Sequence, residues 1–259
     1  CSEELSVYAA KLNGAQERQQ NEPYRQILID LRKRLLATRE WAAKQANGQK
    51  ANAEHILLDN AELIEPLLLC HRSLQETGLC SVANGLLLDT IRRVKCFGLE
   101  LVKLDVRQDS ERHLEVISEL TQYLGLGDFA DWDEKTKQDF LIKELENKRP
   151  LLPNSWPCSS GVKEVLATCA VVAEQPQSAL GSYVISMASS PSDVLTVILL
   201  LKEAGINHQM RVVPLFETLD DLSGSSQAID KLLTIPWYQD YCQQHQEVMI
   251  GYSDSAKDA

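Results

Sequence analysis

From Leu99 onward the chain alternates short strand-like runs with helical stretches, and that rhythm restricts the folds open to it more than any other feature. "LELVKLDVR" (99–107) alternates apolar and polar residues with the period of a strand. "SYVISMA" (182–188), "MRVVPLF" (210–216) and "VMIGY" (248–252) read as three further strands. Between the first two, "SERHLEVISELTQYLG" sets Leu114, Ile117, Leu120 and Leu124 on one helical face, with Ser110 expected as N-cap, and helices are expected near 133–148 and 160–175. "SPSDVLTVILLLKEAG" carries a full set of helix signals: Ser190 to cap, Pro191 at the first position, Asp193 in the first turn and Gly205 at the end. "DDLSGSSQAIDKLLTIPWYQDYCQQHQ" holds one or two helices, broken near Pro236.

Strands separated by helices run parallel. The expected class is therefore helix-rich α/β, either a doubly wound sheet or part of a (β/α)8 barrel, and about four strands cannot close a barrel. Residues 98–259 are read as this partial barrel. Residues 1–97 read as a helical region, with Ile27, Leu31, Leu35 and Thr38 sharing a face in "YRQILIDLRKRLLATREWAAKQ". A second helix runs through "EHILLDNAELIEPLLLCHRSLQETG", where Pro66 is expected to kink or break it and Gly78 to stop it. A third runs from "ANGLLLDTIRRVKC" to Gly98, and "NGQKANAEH" is expected to be a loop.

Composition narrows the function classes. The net charge of −11 lacks the basic stripe that a nucleic-acid surface needs. The apolar run Val194–Leu201 is too short to span a bilayer. The 7 cysteines include no C-x-x-C pair, which argues against zinc and against a disulfide framework and fits reduced thiols in a cytoplasmic protein. With no initiator methionine, and with its end inside a polar cluster, the chain is read as a piece of a longer protein.

Parallel α/β folds keep their chemistry at the carboxyl ends of their strands. Arg107, Gln108 and Asp109 follow the first strand, Ser189 and Ser190 the second, Glu217, Thr218, Asp220 and Asp221 the third, and Ser253, Asp254, Ser255 and Lys257 the fourth. Glu217 and Asp254 are hard oxygen donors of the kind Mg2+ or Mn2+ takes, while Arg107 and Lys257 offer cations for a phosphate or carboxylate. Each residue also has a plainer role open to it. The carboxylates can cap the helices that follow, Arg107 can form a surface ion pair, and Lys257 can be solvent-exposed. His113 is read as a helix-surface residue.

"LDVRQDSERH", "ELENKRPLLP", "SYVISMASSPSDVLTVILLLKEAG", "VVPLFETLDDL" and "VMIGYSDSAKDA" resemble the bacterial-type phosphoenolpyruvate carboxylases from about Leu86 to the last residue. The resemblance implies carboxylation of phosphoenolpyruvate with bicarbonate to oxaloacetate and phosphate, by a cytoplasmic homotetramer built on a (β/α)8 barrel that uses Mg2+ or Mn2+. It implies Glu217 and Asp254 as metal ligands, Arg107 with Gln108 in substrate binding, and Arg107 and Lys257 as active-site residues. Asp109 stands where the family usually has Glu. The family's Thr-Ala-His-Pro-Thr motif is absent, as are its glycine- and arginine-rich loop and its C-terminal inhibitor site. The piece alone is therefore expected to lack turnover. Two other readings stay open: another divalent-metal barrel enzyme acting on a pyruvate-like anion, and a non-catalytic helical scaffold.

Overall fold

A computed structural model describes residues 1–12, 21–49 and 52–251. The chain divides into two compact units, Cys1–Val102 and Lys103–Ala259.

In the first unit, α1 (Glu3–Lys11), α2 (Pro23–Ala46), α3 (Asn60–Glu76), the short α4 (Cys80–Val82) and α5 (Leu88–Phe97) follow one another. Leu5, Ala9, Ile27, Leu31, Leu63, Leu67, Cys70 and Ile91 form its core. The expected stripe of α2 is buried only as far as Leu31, and Leu35 is exposed. Pro66 does not break α3, which runs through it. It is buried, so the missing amide is offset by packing. The third helix is less regular than its sequence suggests, because Gly85 leaves helical geometry within a π-turn, Ala83–Leu87. Gly98 ends α5 with a left-handed backbone (φ 59°), and a Cβ there would lie 2.7 Å from the Asn60 side chain, which accepts from Leu99 N.

The second unit alternates as its sequence implies. Its elements are β1 (Leu104–Asp109), α6 (Ser110–Tyr123), α7 (Glu134–Glu146), α8 (Ser160–Glu174), β2 (Leu180–Ser186), α9 (Pro191–Glu203), β3 (Arg211–Phe216), α10 (Leu219–Leu233), α11 (Pro236–Cys242) and β4 (Met249–Ile250). β1 starts later than expected: residues 99–103 are turn and bend, and Leu101 has a left-handed backbone (φ 69°). The cap of α6 is Asp109 rather than Ser110; its carboxylate accepts from Glu111 N.

The sheet has 4 parallel strands in the order β1-β2-β3-β4. That order decides between the two windings. Right-handed crossovers between successive neighbours put every helix on one face, whereas a doubly wound sheet must reverse direction. The fold is thus helix-rich α/β with the winding of part of an α/β barrel. On the helix-covered face, Tyr183, Ile185 and Val212 pack with Val116, Ile117, Val165, Cys169, Leu195 and Leu199. α9 is buried continuously from Val194 to Leu201, which explains its all-round apolar sequence. The other, inner face carries a much smaller apolar cluster: Val184, Val213 and Leu215 with Met249 against them.

A candidate metal and anion site at the carboxyl ends of the strands

Side chains alternate across a strand, so register tells which residues share the inner face. Arg107 pairs with Val184, and Val184 with Val213, so Arg107 belongs to the inner face. Leu215 pairs with Met249 and Phe216 with Ile250; the next position along β3 is Glu217 and along β4 is Gly251. Two residues on from Leu215, Glu217 continues the inner face just past the carboxyl end of β3. Gln108 pairs with Ile185 and so takes the helix-covered side, and its Oε1 accepts from the Asp109 amide at 3.1 Å. Asp254 and Lys257 lie outside the described residues.

The rim carboxylates divide by what they already hold. Asp109 caps α6 and also accepts from Ser186 Oγ at 3.4 Å. Asp193 closes the capping box of α9, taking the amides of Ser189 and Ser190, both at 2.9 Å. Asp221 closes the box of α10 with Thr218 as N-cap, accepting from Thr218 N at 3.0 Å and from Glu217 N at 3.4 Å. Burial pushes the Asp221 carboxyl up, but these hydrogen bonds outweigh it and leave its pKa below the ordinary value. The capping role open to Glu217 is therefore filled by Thr218 and Asp221. The half-buried Glu217 carboxylate has no hydrogen-bond or ion-pair partner among the described residues, and neither has the exposed Arg107 guanidinium.

Arg107 and Glu217 do not meet as an ion pair. Arg107 is level with Val213, and Glu217 lies four residues further along β3, roughly 13 Å at about 3.3 Å per residue. Among the described residues no group of three or more His, Cys, Asp or Glu side chains gathers around a metal-sized space. Mg2+ does not need one: it keeps several waters and takes one or two carboxylates plus substrate oxygens. An unpartnered carboxylate at the rim is a donor of that kind, so the described part of the site fits a hard divalent ion.

His113 corrects its sequence reading. It is buried between α6 and the sheet, with Nε2 2.9 Å from the Tyr183 hydroxyl. Its spacing explains why, since position 113 precedes the buried Ile117 by one turn and shares its stripe. Burial pushes the imidazole pKa down to about 4, against the pull of the Asp109 charge.

A family model described as phosphoenolpyruvate carboxylase matches residues 2–259. The chain belongs to the phosphoenolpyruvate carboxylase family. It is 59% identical over 259 residues to the phosphoenolpyruvate carboxylase of Hahella chejuensis, covering 99% of this chain and 29% of that protein. It is 59% identical over 238 residues to that of Marinobacter nauticus (92% and 27%) and 56% identical over 239 residues to that of Escherichia fergusonii (92% and 27%). The chain thus spans less than a third of the length of the curated relatives it matches. No helix of the described residues is long and apolar enough to cross a membrane.

Two roles at the site, the capping by Asp221 and the packing of Gly251, were missed in the sequence. Asp221 was legible, because Thr218 and Asp221 have capping-box spacing. Gly251 was not: its significance is a contact with Glu217, which no local pattern reveals.

Proposed function

We propose that this chain forms part of the active site of an enzyme that carboxylates phosphoenolpyruvate with bicarbonate, yielding oxaloacetate and phosphate. The observation that carries this reading is a pair of opposite charges, Arg107 and Glu217, on the inner face of a parallel sheet toward its carboxyl end, neither of them partnered among the described residues. Family membership supplies the substrate. In this reading Arg107 presents its planar fork to the substrate phosphate, which fixes the phosphoryl group for attack by bicarbonate and offsets the charge that develops on it. Gln108 faces the helices, so the role near the phosphate rests on Arg107. Val184, Val213, Leu215 and Met249 line the inner face and exclude water on that side, which strengthens electrostatic contacts with the anion. Glu217 and Asp254 would hold a Mg2+ or Mn2+ ion, which would supply positive charge against the negative charge that develops. Lys257 adds a second cation beside Asp254 in sequence. The whole protein is proposed to be a cytoplasmic homotetramer, as in the family it resembles.

The test uses the full-length protein in a coupled assay for oxaloacetate. Glu217→Ala and Asp254→Ala are each expected to abolish metal-dependent turnover, since each removes one of two protein ligands. Near-normal activity of either variant at ordinary metal concentration contradicts its assignment.

A further inference from the structure

We infer that Gly251 is a positioning residue for Glu217: the absence of a side chain just past β4 makes the space in which the Glu217 carboxylate stands. The inference rests on the metal-binding role proposed for Glu217. Its evidence is steric. A Cβ built on Gly251 would lie 2.8 Å from Glu217 Cγ and 3.2 Å from both Glu217 Cα and Cβ. Carbon atoms in contact settle near 3.5–4.0 Å, so either the carboxylate-bearing arm or the strand has to give way.

Backbone freedom is not the reason for glycine here. Gly251 is absent from the positive-φ positions, so a left-handed backbone does not require glycine there. The surroundings of Glu217 allow little adjustment. From one side the Gly251 amide donates to Phe216 O at 2.9 Å, which holds β4 against β3. From the other side the Asp221 carboxylate accepts from the amides of Glu217 and Thr218, which pins the start of α10. With the backbone held at both edges, an added methyl is relieved mainly by turning the Glu217 side chain away from its present direction. A ligand displaced in this way keeps its charge but loses its aim.

The experiment titrates Mn2+ directly against the full-length protein by the loss of the free-ion electron paramagnetic resonance signal, alongside oxaloacetate formation. Gly251→Ala is expected to weaken Mn2+ binding about 10- to 100-fold, the usual cost of disturbing a group that orients a ligand. Ile250→Ala, a change on the opposite side of the same strand, is expected to leave it unaltered. Glu217→Ala runs in parallel. Lost binding in Glu217→Ala with unchanged binding in Gly251→Ala overturns the positioning role and leaves the metal ligand standing. Unchanged binding in Glu217→Ala removes both. Should Gly251→Ala lower stability, the apparent unfolding midpoint gives a second reading. The loss should shrink in a Glu217→Ala background, where Cγ is gone, and an equal loss in both backgrounds contradicts the contact.

Discussion

The inner face of the sheet carries charges at both ends, and the two ends treat them in opposite ways. At the amino end the charges are consumed. Asp105 Oδ1 accepts from Ser182 N at 2.9 Å, Ser182 Oγ donates to Glu247 Oε2 at 3.1 Å, and Arg211 pairs with the same Glu247 oxygen at 2.9 Å. At the carboxyl end Arg107 and Glu217 have no partner among the described residues, while the neighbouring Asp109, Asp193 and Asp221 are absorbed as helix caps. A charge already paired within the chain has little to offer a ligand. One held at a strand end and left unpaired is available to an ion from outside. Composition alone cannot separate these two groups, since both consist of ordinary arginines, aspartates and glutamates.

The largest effect expected from this contrast belongs to Arg107. In the full-length enzyme Arg107→Ala should lower kcat/KM for phosphoenolpyruvate by about 10²- to 10³-fold, the scale of losing one donor to a developing charge. Arg107→Lys should restore only part, because an ammonium lacks the planar fork. A near-normal kcat/KM in Arg107→Ala would return Arg107 to the surface residues.

A middle-sized effect is expected on the helix-covered face, which excludes charge. His113 is neutral there, with its pKa lowered to about 4 by burial. As pH falls below about 6.5, the unfolded chain takes up a proton that the folded protein refuses, so this site favours unfolding increasingly until pH falls through about 4. The full contribution, on the order of 3 kcal/mol, is present above pH 6.5 and lost across that window. The apparent thermal midpoint of the full-length protein should therefore fall less steeply between pH 6.5 and 4 in His113→Gln, which keeps an acceptor for Tyr183. Identical slopes would show that folding does not lower the His113 pKa.

The smallest effect is expected at the amino end. Glu247→Gln breaks a half-exposed pair with Arg211, for which about 0–1 kcal/mol of stability is usual. kcat/KM should stay at the wild-type value. A loss of activity on the scale of Arg107→Ala would erase the distinction between the two ends.

Much of this arrangement was legible in the sequence because local chemistry wrote it there. Ser190, Pro191, Asp193 and Gly205 bound α9 as their residue types imply, and Gly78, with φ 79°, follows the end of α3. Glu217 follows β3 as counted in the sequence, whereas Arg107, expected just past the first strand, lies inside β1, two residues before its end at Asp109. What was not legible depended on partners distant in sequence. β1 starts at Leu104 rather than at Leu99, since its pairing with β2, from Leu104 opposite Leu180 onward, outweighs the alternating pattern of 99–103. Pro66 sits inside a helix because it is buried there. Asp109 takes the cap expected of Ser110 because its carboxylate reaches the Glu111 amide. His113 belongs to a buried stripe that also takes in Val116 and Ile117, and a polar residue type conceals that membership. The sequence placed Asp254 and Lys257 beside the rim, and both lie outside the described residues.

The most direct test of the central claim is a crystal structure of the full-length protein with Mn2+, with the ion located by its anomalous scattering. The account predicts one ion coordinated by the Glu217 carboxylate, with Asp254 as the second protein ligand and the Arg107 guanidinium facing the same space. An ion bound elsewhere, with Glu217 uncoordinated, would contradict it.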